Sequence, residues 1–191
     1  MTNTRPPRAD AIRNRTKILD AARNQITLHG PNVGMTEIAA AAGVAVGTLY
    51  RHFPNKADLV AAVIAEYTAH VADDAEAAHR RAAAGSPALC EITTFLGNVV
   101  EASATNHGVK AAAHALGAYP TDTTAEQRAS TALAKLIEHG KAEGQIHPDI
   151  TVDDIYLLVA TAPTDQPPAV RTRWLALVLT GLTTQPRAAV A

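Results

Sequence analysis

From Thr36 to Lys56 the chain reads Thr-Glu-Ile-Ala-Ala-Ala-Ala-Gly-Val-Ala-Val-Gly-Thr-Leu-Tyr-Arg-His-Phe-Pro-Asn-Lys. Several of these side chains suit the recognition of a polyanion with readable edges. Arg51 can fork onto a guanine edge, and Thr48 can bond a phosphate or touch a thymine methyl. Gly47 lets backbone approach closely. The Tyr50 hydroxyl can donate to a phosphate oxygen, Lys56 stands at a helix start where amide donors already favour an anion, and His52 can serve either purpose.

Such residues are useful only if something holds them in one plane. Thr36 is positioned to cap a short helix, and Gly43 supplies the left-handed conformation that turns the chain without a Cβ clash, with Val44 tucked beneath. A second short helix follows. In it Val46, Leu49 and Phe53 share one face, expected to be buried, while Gly47, Thr48, Arg51 and His52 lie opposite, and Pro54 ends the helix. Two helices about a tight glycine turn form a helix-turn-helix, whose second helix enters a DNA major groove. The plain alternative is a helical corner with its polar residues in solvent. Charge weighs against it: residues 1–56 hold eight Lys/Arg against three Asp/Glu, and the remainder nine against fifteen, so a net charge of -1 hides +5 and -6.

The other elements follow from composition and punctuation. The chain has 191 residues, 47% hydrophobic and 18% charged, as in a folded globule. Its most apolar stretches, 155–160 and 174–182, fall short of the ~18 to 20 residues that cross a bilayer. Met1 to Arg15 is polar and is not expected to be a signal peptide. One cysteine, Cys90, allows no intrachain disulfide and no cysteine zinc cage, so a soluble cytoplasmic protein is expected. With aromatics at 4% and no alternation of β-branched residues, the fold reads as all-α, about nine helices.

The first helix is predicted over Asp10 to Leu28, with Ile12, Leu19, Ala22 and Ile26 at helical spacing. After the two short helices, Asn55 caps a long one carrying Val60, Val63, Tyr67 and Val71. Ser86-Pro87 opens the next, with Leu89, Ile92, Leu96 and Val99 on its apolar face. An alanine-rich helix spans Val109 to Leu116. Thr123 with Glu126 predicts a capping box before Leu133, Leu136, Ile137 and Gly140, and Thr151 with Asp154 predicts another before a helix closed by Pro163. Pro167-Pro168 precedes a final helix bearing Trp174, Leu175, Val178, Leu179 and Leu182.

Thr36-Glu37-Ile38-Ala39-Ala40-Ala41-Ala42-Gly43-Val44, then Gly47-Thr48-Leu49-Tyr50-Arg51-His52-Phe53, then Asn55-Lys56 and Leu59, resemble the N-terminal signature of the tetracycline-repressor (TetR) family. The likeness covers about Ile12 to Ile64; beyond it only helix count and length agree. It implies a DNA-binding domain over residues 1–56 and a helical ligand-binding and dimerisation domain over 57–191. It also implies a homodimer built by the last two helices, a palindromic operator and, usually, repression. A small molecule in the larger domain would move the long helix, change the spacing of the recognition helices and release DNA. Thr36, Thr48, Tyr50 and Lys56 match positions that touch phosphates; Val46, Gly47, Arg51 and His52 match positions near bases.

Weaker signals lie elsewhere. Arg5, Pro6, Pro7 and Arg8 form an arm that cannot be helical at its prolines; it could follow phosphates or the minor groove, or be a disordered tail. Apolar residues are dense in the last two helices, so Ile155, Leu158, Trp174, Leu175, Val178 and Leu182 are read as a dimer interface, with packing inside one chain the alternative. Large residues among small alanines, Tyr67, His70, Phe95, Val99, His107, His114, Tyr119 and Trp174, are candidates to line an effector pocket. His107 and His114 lie two helical turns apart, too far for easy joint ligation even with Cys90, and neither a metal nor another cofactor is expected. No nucleophile elbow, phosphate loop or dinucleotide fingerprint occurs, so the chain is not expected to be an enzyme. Two rivals stay open: a helical ligand-binding protein or enzyme with a merely structural motif, and an activator of the same family without effector.

Overall fold

The computed structural model describes residues 7–184. Nine α-helices occur among them: α1 (Pro7–His29), α2 (Met35–Ala41), α3 (Val46–His52), α4 (Lys56–Ala83), α5 (Ala88–Thr105), α6 (His107–Leu116), α7 (Thr124–Ala142), α8 (Val152–Thr161) and α9 (Pro168–Leu182). The all-α expectation holds. Among the described residues the β-structure is one isolated bridge, Ile146 with Thr183. No helix there is long and apolar enough to cross a membrane. Arg5, Pro6 and the Arg8 side chain lie outside what is described, whereas Pro7, expected to be non-helical, opens α1. A proline at the first helical position sacrifices an N–H that has no partner there in any case.

The chain divides into two compact units. One is the described part of Met1–Tyr67 with Thr105–Asp122; the other is Thr68–Ala104 with the described part of Thr123–Ala191. In the first, Ile18, Leu19, Ala22 and Ile26 of α1 meet Ile38 and Ala39 of α2, Leu49 of α3, Leu59, Val60 and Val63 of α4, and Val109 and Ala112 of α6. The α1 stripe begins later than expected, because Ile12 is 62% exposed and no side chain of residues 9–17 is buried. Gly108 brings α6 against α1: a Cβ there would stand 3.2 Å from the Ile26 carbonyl oxygen.

In the second unit, Ala72, Ala75 and Ala78 of α4 let Phe95, Leu96 and Val99 of α5 and Leu133, Leu136 and Ile137 of α7 close over them, with Ile155 and Leu182 completing the core. Caps were only partly as expected. The Thr151–Asp154 box forms, the Thr151 amide donating to Asp154 Oδ2 at 2.8 Å. Thr123 makes no side-chain cap bond. Ser86 does not cap α5; its hydroxyl donates to Glu91 Oε1 (2.7 Å), and the first α5 amides, Ala88 and Leu89, donate to Glu143 Oε2 (2.9 Å) and Gln145 Oε1 (3.4 Å) from beyond α7. Buried Arg171 of α9 grips Glu101 of α5 through Nε at 2.9 Å and through Nη2.

Two glycines in helix interiors make opposite demands. A Cβ at Gly140 would fall onto Ile146 Cγ1 and 3.3 Å from Ile146 Cβ, both in the buried core; at Gly97 it would meet only Leu175 Cδ2 at an ordinary 3.6 Å. Gly140→Ala is expected to lose about 1 to 3 kcal/mol by overpacking. Gly97→Ala is expected to be neutral or to gain up to ~1 kcal/mol from helix propensity, both read by urea unfolding. His79 yields a pH effect. Burial first, then His139 edge-on at 5.3 Å, Lys135 and Arg80 hold its imidazole below the usual range. The unfolded chain therefore takes up a proton here before the folded one, and the contribution present above about pH 6.5 is lost as pH falls. The melting temperature should drop between pH 7 and pH 5, and drop less in His79→Gln.

Candidate nucleic-acid interface

The turn between α2 and α3 is closed by backbone chemistry alone. Gly43 has φ +64°, its amide donates to Ala40 O (3.0 Å) and the Val44 amide donates to Ala39 O (3.1 Å), the paired bonds of a Schellman motif. Val44 rests half-buried on the core, as expected. At the other end of α2 the expectation fails in detail: Gly34, not Thr36, is the N-cap, and its amide donates to Glu37 Oε2 at 2.6 Å. Thr36 sits inside the first turn.

Helix α3 presents its residues nearly as the spacing requires. Leu49 is fully buried, and Phe53, just past the helix end, is buried as well. Val46 departs from the expected buried triad at 37% exposed, because it is the first residue of α3 and precedes the turn that Leu49 anchors. Gly47, Tyr50 and Arg51 are exposed; Thr48 and His52 are half-buried. Among the described residues no carboxylate stands within ion-pair distance of Arg51 or of Arg15, whose guanidinium lies 5.6 Å from the Phe53 ring centroid. By contrast Arg13 pairs with Asp10, and Arg23 pairs with Glu66 at 2.5 Å.

Lys56 is placed differently from a solvent-facing phosphate contact. Its ammonium donates to the carbonyls of Pro31 and of Val33 (2.6 Å), and desolvation lowers its pKa while Glu37 opposes that shift.

The pocket candidates are divided between the two units. Tyr67, with Lys110 Nζ 4.9 Å over its ring, His107, His114 and Tyr119 belong to the first unit, the last three exposed; His70, Phe95, Val99 and Trp174 belong to the second. Phe95 and Val99 are ordinary core, His70 is exposed and Trp174 half-buried. None of the eight lines either of two pockets in the second unit. One, of about 310 Å³, is bounded by Glu76, His79, Thr124, Gln127, Arg128, Thr131, Ala132 and Lys135. The other, of about 600 Å³, is bounded by Thr123, Glu126, Gln127, Ser130 and Tyr156. Residue size and neighbouring alanines give no signal for such grooves, which depend on how α7 meets its neighbours.

Of the interface candidates, Ile155 and Leu182 are buried in their own unit's core and leave no surface for a partner. Leu158 and Leu175 pack onto that core while half-buried, and Trp174 and Val178 are also half-buried. The large apolar side chains that do face outward on α8 and α9 are Tyr156, Leu157, Val170 and Leu177. Apolar density around the whole helix hid which side was which.

Residues 18–63 match the family model of bacterial regulatory proteins of the tetR family. Residues 88–184 match the model described as the C-terminal domain of SbtR-like transcriptional regulators. An HTH-type transcriptional regulator of Staphylococcus aureus is 45% identical over 58 residues, which is 30% of this chain and 31% of that protein. The chain thus spans under a third of the length of the curated relatives it matches. Likeness over most of the chain comes from solved structures. A TetR transcription regulatory protein from Mycobacterium vanbaalenii is 30% identical, with 94% of this chain and 100% of that one covered at a TM-score of 0.71. A TetR transcriptional regulator from Streptomyces coelicolor is 28% identical, covering 90% and 99%, at a TM-score of 0.70. With both family models matched and a relative at this identity along nearly its whole length, the chain belongs to the TetR family of transcriptional regulators, which are DNA-binding proteins and not enzymes.

Proposed function

We propose that the chain works in the cytoplasm as a dimeric repressor whose two α3 helices enter successive major grooves of a palindromic operator and whose release is driven by a small-molecule effector. The observation that carries this reading is Arg51, exposed and with no carboxylate in ion-pair range among the described residues, on a helix whose other side is anchored by Leu49. Arg51 is the base reader, best fitted to a guanine edge. Val46, Gly47 and His52 lie near bases, Val46 offering apolar contact to a thymine methyl, and Thr36, Thr48 and Tyr50 reach phosphates. In this reading residues 1–56 bind DNA and residues 57–191 bind the effector and the second copy. Outward Tyr156, Leu157, Val170 and Leu177 supply apolar surface that a symmetry mate would cover. The effector enters the second unit, where the two grooves that share Gln127 are within the size range of small-molecule sites.

A mobility-shift titration against DNA from upstream of the chain's own gene, run over a salt series, tests the reading. Binding is expected to weaken steeply as salt rises, and Arg51→Ala is expected to cost about 1 to 3 kcal/mol on the bound sequence while affecting random DNA less. Absence of salt-sensitive binding even at low salt would overturn it; equal loss on both DNAs would remove Arg51 as the reader.

A further inference from the structure

We propose that Lys56 is a positioning residue of the DNA reader: its ammonium ties the segment leading into α2 to the segment leaving α3, and so fixes how α3 is presented. The inference rests on the reading of α3 as the reader and adds a role for a side chain otherwise assigned to phosphate.

The α2–turn–α3 unit runs from Met35 to His52 and is closed at its tip by the Gly43 turn. Its base consists of two chain segments, 31–34 and 53–56, far apart in sequence. Lys56 joins them by donating to the carbonyls of Pro31 and Val33. On one side of this joint the Gly34 amide is held by Glu37, whose carboxylate also stands near the ammonium. On the other, the Asn55 side chain caps α4 by accepting from the Asp58 amide at 2.9 Å. An ammonium has three N–H donors, and two are taken by protein carbonyls. Closing both the tip and the base leaves the two short helices little freedom to splay, whereas a solvent-facing lysine would leave the base held by packing alone.

The test uses the full chain, a duplex that the wild-type chain selects from a random library, and a random duplex of equal length. Lys56→Met keeps the apolar stem and removes the donors and the charge. Expected at matched far-UV circular dichroism is a loss of about tenfold in the selected-to-random affinity ratio, the scale of one good base contact, with an unchanged salt slope. Faster hydrogen exchange at the Gly34 amide should accompany it. Equal weakening on both duplexes with the slope reduced by about 0.9 would make Lys56 a phosphate contact and overturn the inference. An unchanged ratio with only a lower melting temperature would overturn it too. Should Lys56→Met fail to fold, Lys56→Arg decides: it keeps the charge but puts a planar fork where a compact ammonium sits between two carbonyls, so a reduced ratio is expected and full wild-type behaviour would contradict. A wild-type chain that selects no duplex sinks the DNA-binding reading and this inference together; a wild type that selects one and a Lys56→Met chain that matches it sink the inference alone.

Discussion

A seven-residue helix has no stability of its own in water, where isolated helices under about 12 to 15 residues are marginal. Helix α3 therefore exists because Leu49 is driven into the core that Ile18, Leu19 and Ile38 share with it. That one anchoring contact decides two things together: that residues 46–52 are helical, and which side of the helix is left for solvent. Phe53 and the Gly43 turn extend the constraint in both directions along the chain. Polar and small residues can then occupy the outer side without a stability penalty, which is the condition for a surface that recognises something else.

The two compact units are stabilised in different ways. The first buries branched aliphatic side chains from five helices, α2 and α3 among them. The second relies on alanines along α4, which allow the aliphatic and aromatic side chains of α5 and α7 to approach closely, and it adds cross-helix ties at Arg171–Glu101 and Arg128–Glu76. Of these ties Arg171, being buried, depends most on its carboxylate: without Glu101 it would be a desolvated charge lacking its main partner. Arg128 is more exposed, and the worth of such a pair is small.

Features written in local chemistry were readable from the residues in order. The Gly43 turn and the Thr151–Asp154 box each depend on a few adjacent residues, and each stands where the spacing put it. What could not be read depends on partners distant in sequence. Val46 shares helical spacing with Leu49, and only the position of α3 on the core shows that it faces out. The α5 amides are capped by Glu143 and Gln145, more than 50 residues on, which no scan around Ser86 could reveal. Helix α6 joins the first unit through Gly108 against Ile26, so His107, His114 and Tyr119 belong to that unit, whereas Phe95 and Val99 belong to the core of the second. Lys56 looks like any cation at a helix start until the carbonyls of Pro31 and Val33 are seen beside it.

If the outer side of α3 meets base edges in the major groove, it covers guanine N7, which lies in that groove. Dimethyl sulfate probing of a bound duplex measures this directly. N7 protection is expected in two clusters about one helical turn apart, present in the complex and absent from free DNA. Undiminished N7 reactivity throughout a duplex that the chain demonstrably binds would contradict it.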